Sequence, residues 1–332
     1  MPSQKLKVAL VLMLATASLF AFLLMDTPPS GDWRPVKVIV PKGSTSPEVA
    51  RLLSNGKVLQ HPLVFRMLIL GTMTGKRLKF GEYSFPEPPS AVEVWRKLFQ
   101  GEVTRYSVTI PEGSNMYDIA KILGDLELVD PKNFLETAAS AHVLRRMGIP
   151  GTTAEGFLFP ETYLLEKAMS AEDILEVMAR QFRRKFLPEW ENKAREAGFS
   201  LLELVTIASI IEKETGVDDE KPLVSAVIRR RLALGMPLQM DPTVIYGFRR
   251  FGEELTRKDL QTPSPYNTYL NRGLPPGPIA NPGASAIKAA AFPAETDYLY
   301  FVSRNDGSHR FSRTLQEHNE GVASYRREKS QE

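Results

Sequence analysis

The sequence predicts an α+β protein: a single N-terminal membrane-crossing helix, duplicated strand–helix units behind it, and an α+β body built on a buried central helix. Three observations carry that expectation. An uncharged apolar run opens the chain, a strand–turn–helix pattern occurs twice within residues 36–154, and residues 201–215 are apolar at nearly every helical position.

Lys5 and Lys7 precede the run 8–25 (Val8 first, Met25 last), whose only polar residues are Thr16 and Ser18, and Asp26 closes it. About 18 apolar residues suffice to cross a hydrocarbon core of roughly 30 Å as a helix. Lysines before the run and an acid after it place the N-terminus in the cytoplasm. The alternative is a cleaved signal peptide. Against it, the small pair Ala15 and Ala17 sits inside the apolar run, and residues 25–28 make a poor cleavage site. Either way the rest is exported. The expected location is the cytoplasmic (inner) membrane, single-pass, with the body in the periplasm or extracytoplasmic space. Residues 1–26 then form the cytoplasmic tip and anchor, and the Pro- and Gly-containing stretch 27–35 a linker.

The repeat follows. Val38-Ile39-Val40-Pro41-Lys42-Gly43-Ser44 returns as Val108-Thr109-Ile110-Pro111-Glu112-Gly113-Ser114. Glu48-Val49-Ala50 matches Asp118-Ile119-Ala120, Leu53 matches Leu123, and after a one-residue slip Pro62 and Phe65 match Pro131 and Phe134. Each copy reads as an alternating strand, a Gly-Ser turn, and a helix with apolar residues at helical spacing. Ser46-Pro47-Glu48 reads as a cap followed by a first-turn proline. A fainter echo links Gly81-Glu82-Tyr83-Ser84-Phe85-Pro86-Glu87 to Gly156-Phe157-Leu158-Phe159-Pro160-Glu161, each followed by a helix, 91–99 and 171–186. The units are assigned to 36–105 and 106–154. Such a pair either binds an extended ligand or braces itself, and the sequence leaves both open.

The remaining body, 155–332, opens differently. Residues 201–215 form the buried helix, and 222–234 a basic one. A Pro-, Gly-, Asn- and Tyr-rich stretch, 235–283, has the length of a functional loop region. A helix at 284–291, a strand at 298–303, a turn at 305–307, a strand at 309–312 and a final helix close the chain.

Composition narrows the chemistry. There is no cysteine, so disulfides, thiolate metal sites and Cys nucleophiles are out. The net charge is only +3, and Arg183-Arg184-Lys185 and Arg229-Arg230-Arg231 read as solvated helix faces. With no groove-reading motif, nucleic acid is not an expected partner. Four histidines, without an HExxH pair, give no metal site, and no nucleotide-binding glycine motif implies a cofactor. Carboxylate chemistry remains. Ile210-Ile211-Glu212-Lys213-Glu214-Thr215-Gly216 ends the buried helix, with the two glutamates about 200° apart, so both cannot face one cleft. Glu212 shares its face with Ala208, Ser209 and Gly216, small enough to floor a groove. Glu214 shares its face with Ile207, Ile210 and Ile211, the expected packing side. That favours Glu212 as a general acid with a pKa raised by desolvation. The spacing by itself suits, rather better, two helix-end glutamates paired with Lys213 or Lys221.

Taken together, several stretches resemble the endolytic murein transglycosylases of bacterial envelopes. They are Glu155-Gly156-Phe157-Leu158-Phe159-Pro160-Glu161-Thr162-Tyr163, Ala208-Ser209-Ile210-Ile211-Glu212-Lys213-Glu214 and Leu238-Gln239-Met240-Asp241-Pro242-Thr243-Val244-Ile245-Tyr246-Gly247. Further on come Ser264-Pro265-Tyr266-Asn267-Thr268-Tyr269, Gly273-Leu274-Pro275-Pro276-Gly277-Pro278-Ile279, Asn281-Pro282-Gly283, His309-Arg310-Phe311 and Glu317-His318-Asn319. They stand in family order over most of the chain beyond the anchor. Arg230, where an asparagine is expected, is the one departure. The resemblance implies LysM-like units at 36–105 and 106–154 and a catalytic domain at 155–332. It further implies peptidoglycan glycan strands as substrate and cell-wall synthases as partners.

The implied reaction is nonhydrolytic cleavage of the β-1,4 bond between N-acetylmuramic acid and N-acetylglucosamine, leaving a 1,6-anhydromuramyl end and terminating or releasing nascent strands. Ordinary glycosidases need two carboxylates. Here the substrate's C6 hydroxyl is the nucleophile, so one suffices, and the resemblance places it at Glu212. It also implies substrate contacts from Glu161, Gln239, Asp241, Tyr266, Asn267 and Thr268, although Asn and Asp also serve as turn residues. Supporting roles fall to Glu214, His309, Glu317 and His318. Two other functions fit the same sequence: a noncatalytic, membrane-tethered peptidoglycan-binding adaptor, and a hydrolase of another envelope glycan.

Overall fold

The computed structural model describes residues 31–329, together with Met13, Ser18, Pro28 and Pro29. Apart from Met13 and Ser18, the run 8–25 lies outside the described residues. Among the described residues, no helix is long and apolar enough to cross a membrane. The chain is α+β and divides into two compact units, one ending at Ser107 and also holding Leu164–Met169, the other comprising Val108–Tyr163 and the chain from Ser170 onward.

In the first unit, β1 (Val36–Val40) leads into α1 (Ser46–Asn55) and α2 (Pro62–Thr72), followed by β2 (Gly81–Phe85) and α3 (Ala91–Gln100). β1 and β2 pair antiparallel, Val36 opposite Phe85 and Val40 opposite Gly81. Alternation along β1 sends Val38 and Val40 inward, where Leu53, Phe65, Tyr83 and Leu98 complete a fully buried centre. The cap of α1 is Thr45, one residue before the expected Ser46, and its N–H donates to the Glu48 carboxylate at 2.7 Å. α2 buries Val64, Phe65 and Ile69 but leaves Leu63, Met67 and Leu70 exposed.

The second unit is entered through β3 (Tyr106–Thr109) and continues with α4 (Met116–Asp125), α5 (Pro131–Ala138) and α6 (Ala141–Met147). Asn115 caps α4, its Oδ1 accepting from the N–H groups of Tyr117 and Asp118. Like α2, α5 opens on a proline. The second of the two sequence copies is therefore built into the larger unit. β4 (Thr162–Leu165) forms a two-stranded sheet with β3. Then come α7 (Ala171–Lys185), α8 (Pro188–Glu196), α9 (Leu201–Glu214), α10 (Lys221–Ala233), α11 (Asp241–Phe248), α12 (Arg257–Gln261) and α13 (Ala284–Ala291). The hairpin β5 (Tyr300–Ser303) and β6 (His309–Ser312) and the helix α14 (Leu315–Lys329) follow.

α9 is the expected buried helix. Ser200 and Glu203 form its capping box, and every residue from Leu204 to Ile211 is buried. Alanines 286, 289, 290 and 291 of α13 lie against it, and their short side chains permit close approach. The basic cluster of α10 departs from expectation. Arg231 is buried, its Nε donating to Leu299 O at 2.7 Å and its Nη1 to Leu238 O at 2.6 Å. Arg229 is half-buried and donates to Ala290 O. Carbonyls left over at loop ends need donors, and a guanidinium supplies several at once. By contrast, Arg183, Arg184 and Lys185 are exposed.

Candidate active site

The two glutamates at the end of α9 occupy different environments. Glu212 has a side chain only 7% exposed, with Oε1 3.4 Å from Lys221 Nζ and Oε2 accepting the Gly283 N–H at 2.8 Å. Lys221, itself buried, also reaches Ser285 Oγ at 2.7 Å and Asp218 Oδ1 at 3.0 Å. Both Glu212 oxygens are thus committed to groups that hold the helix end in place.

Glu214 opens on a pocket of about 370 Å³ whose walls include Arg231, Gln239, Asp241, Tyr269 and His318. Its Oε1 is shut off from solvent and has no hydrogen-bond partner among the described residues. Burial, reinforced by the negative charge of Asp241 and opposed by Arg231, pushes its pKa up to about 8. Asp241, the first residue of α11, accepts a hydrogen bond from the Tyr269 hydroxyl at 2.5 Å. Gln239 holds a left-handed backbone at φ 53°, with its N–H on Thr268 O; such strain gathers where a side chain must be aimed. His318 stacks on Tyr300 at 5.3 Å. Its Nδ1 lacks a partner among the described residues, and burial and nearby Arg231 lower its pKa, which favours the neutral ring.

The Glu212 face, expected from its small residues to floor a groove, is closely packed in the middle turns of α9. Small residues on a helix either floor a groove or admit a close neighbour, and here they admit one: Ala208 and Ser209 are fully buried, with Ser209 Oγ accepting the Ile279 N–H at 3.0 Å. Glu214 lies past the closely packed turns, where the helix end meets the pocket.

Of the residues expected at the site, the pocket brings together Gln239, Asp241, Glu214 and His318. Asn267 and Thr268 are buried and occupied with the backbone. Asn267 Nδ2 donates to the carbonyls of Asp259, Leu260 and Thr262, and Thr268 Oγ1 accepts the Met240 N–H. These two side chains shape the loops. Tyr266 packs on Tyr246 with ring centres 5.0 Å apart. Glu161 pairs with Gln181 and Lys185, away from this pocket. His309 is bound through its N–H and Nδ1 to Glu220, whose other contact is Thr215, just beyond α9, so it supports the helix end from outside. Glu317 accepts the Arg313 and Thr314 N–H groups at the start of α14. Missing from the expected set were Tyr269, inside a quoted motif, and Arg231.

Several motif residues converge on a second, wholly buried group. Glu155 accepts from the Met116 N–H, the Tyr246 hydroxyl and Asn281 Nδ2, and burial raises its pKa to about 7 despite those bonds. Asn281 Oδ1 takes the N–H groups of Gly156 and Leu158. This hub joins α4, α11 and the segment carrying Gly283, hence the segment that holds Glu212.

A helix end that offers a buried carboxyl to a pocket of carboxylate, amide, phenol and imidazole suits acid–base chemistry of the carboxylate type. The chain belongs to the YceG-like family, whose model matches residues 38–324. It is 29% identical over 330 residues to the endolytic murein transglycosylase of Bacillus subtilis (strain 168), covering 95% of this chain and 91% of that one. The endolytic murein transglycosylase of Streptococcus pneumoniae (serotype 2, strain D39) is 26% identical over 322 residues, 87% of this chain and 58% of the longer relative. The crystal structure of a yceG-like protein from Listeria monocytogenes is similar, with a TM-score of 0.59 and 31% identity over 87% of this chain and 99% of that one.

Proposed function

We propose that this protein is an endolytic peptidoglycan lytic transglycosylase that cleaves the β-1,4 bond between N-acetylmuramic acid and N-acetylglucosamine, with Glu214 as its acid. The geometry that supports this reading is that Glu214 lines the polar pocket with Asp241, Gln239 and Tyr269, where burial raises its pKa to about 8, while the two oxygens of Glu212 accept from Lys221 and the Gly283 N–H. The names of the relatives support the substrate class. Glu214 starts protonated and gives its proton to the glycosidic oxygen as the C1–O bond breaks. The substrate's C6 hydroxyl oxygen bonds to C1, and the Glu214 carboxylate takes the hydroxyl proton. The proton is returned, no water is consumed, and the attack gains from being intramolecular. Burial, reinforced by the charge of Asp241, favours the protonated form of Glu214, and Gln239, Tyr269 and neutral His318 supply hydrogen-bonding groups around it.

The run 8–25 serves as a single-pass anchor in the cytoplasmic membrane, and the units at 36–105 and 106–154 are LysM-like modules holding glycan near the cleft. Cell-wall synthases are the fitting partners. Digestion of purified glycan strands, read by mass spectrometry of the product ends, tests the reaction. Anhydromuramyl ends are expected. Reducing ends would instead make it a hydrolase, and no product would make it a binding adaptor. Glu214→Gln should abolish the anhydro product. Full activity in that variant would return the acid to Glu212.

A further inference from the structure

In the first unit, α2 carries an apolar stripe that its own core does not use. Leu63, Met67 and Leu70 are 66%, 62% and 75% exposed, and Met73, which ends the helix, is 87% exposed. The first three fall within an arc of about 60° on the helix. Beside them opens a groove of about 860 Å³ whose lining includes Arg66, Leu70, Met73 and Lys76. Charge follows the same stretch. From residue 49 to residue 81 the sequence has six cations (Arg51, Lys57, Arg66, Lys76, Arg77 and Lys79) and no aspartate or glutamate. The second copy differs: its α4–α5 stretch bears Asp118, Asp125, Glu127, Asp130 and Glu136.

An apolar stripe with cations about it fits an anionic lipid surface, where the side chains enter the headgroup boundary and the cations meet phosphates. The linker supports the same occupant. Only residues 26–35 separate the apolar run from β1, a reach of at most about 35 Å when extended. We infer that α2 docks on the anionic surface of the membrane carrying the anchor, through Leu63, Met67, Leu70 and Met73, with Arg66 and Lys76 on lipid phosphates. The inference rests on the proposed anchor.

The chain has no cysteine, so one introduced thiol gives one labelled site. Full-length Leu70→Cys, carrying an environment-sensitive fluorophore, is reconstituted in phosphatidylethanolamine–phosphatidylglycerol vesicles containing a lipid-borne quencher. The control is Glu87→Cys, an exposed site outside the stretch. The expected result is a blue shift and loss of about half the emission at Leu70 but not at Glu87, weakened when the anionic lipid is replaced by phosphatidylcholine. Co-flotation with the vesicles but no quenching at Leu70 overturns the docking and leaves the anchor standing. Failure to co-float overturns the anchor and the docking together. A blue shift without vesicles that grows with protein concentration would mark a second copy of the chain as the occupant, and would also overturn the proposal.

Discussion

Replacing Asp241 with asparagine should move the alkaline limb of the pH–rate profile toward lower pH. With a pKa of about 8, Glu214 is roughly 90% protonated at pH 7, whereas an ordinary glutamic acid would be so only about 0.3% of the time. The pocket therefore keeps about 300-fold more of the acid form ready to donate. Burial is the larger cause and Asp241 the second, so Asp241→Asn leaves the first and removes the other. In the wild type, kcat/KM should fall as pH rises through about 8, because this parameter reports the free enzyme's acid. The neighbouring groups do not produce such a limb. His318 titrates below its ordinary range, and the Tyr269 phenol is pushed up by burial and by Asp241. The assay is release of soluble anhydro-muropeptides from purified strands across pH 5 to 9.5, a window chosen about the Glu214 value. The diagnostic is the position of the limb, not its height, because Asp241 also lines the pocket. A wild-type limb in the ordinary carboxylate range, or one that Asp241→Asn does not move, would refute the assignment of Glu214 as the acid.

Other changes separate catalysis from support. Glu214→Gln should lower kcat by about 10²–10⁴-fold with little change in melting temperature. Glu212→Gln strips a buried partner from Lys221, which keeps Asp218; it should cost up to about 3 kcal/mol in denaturant unfolding while leaving most activity. Equal loss of activity in both variants, with stability intact in each, would contradict the division of roles. Asn267→Ala opens a clasp on three carbonyls and should destabilise by about 1–3 kcal/mol, read by thermal melts. For Glu155 the folded-state pKa, about 7, lies above the ordinary carboxyl value, so folding takes up a proton. Its contribution is full below the ordinary value and is lost as pH rises through about 7. Glu155→Gln should flatten that decline in urea unfolding; an unchanged pH dependence would exclude it.

What could be read from the sequence was whatever rests on local periodicity. The buried helix α9, the Pro-initiated helices α2 and α5, and the β5–β6 hairpin all follow from spacing and turn residues near in sequence. The rest concerns what a residue meets outside its own element, a few residues away in a loop or far along the chain. Asn267 and Thr268 carry the polar groups a sugar site would use, but neighbouring loop backbone takes them first. Arg231 sits in a run of three arginines that looks solvated, yet two carbonyls at loop ends bury it. Ala208 and Ser209 are small because Ile279 and α13 come close, and nothing local announces that approach.

The proposed division of roles between the two glutamates rests on the same geometry that separates them. An angle of about 200° on one helix forbids two carboxyls in one cleft, but it lets one anchor the turn while the other works. Glu212 faces inward and is tied to Lys221 and the Gly283 N–H, so the last turn of α9 is fixed by buried polar contacts. Lys221 opens α10, and Gly283 immediately precedes α13, so one carboxylate registers three helices against each other. If Glu214 is the acid, as proposed, it takes its position from a support two residues away, as an acid needs in order to meet a leaving oxygen within hydrogen-bond reach. On the proposed reading, Glu212 serves as the fixed point and Glu214, at the pocket wall, as the proton donor.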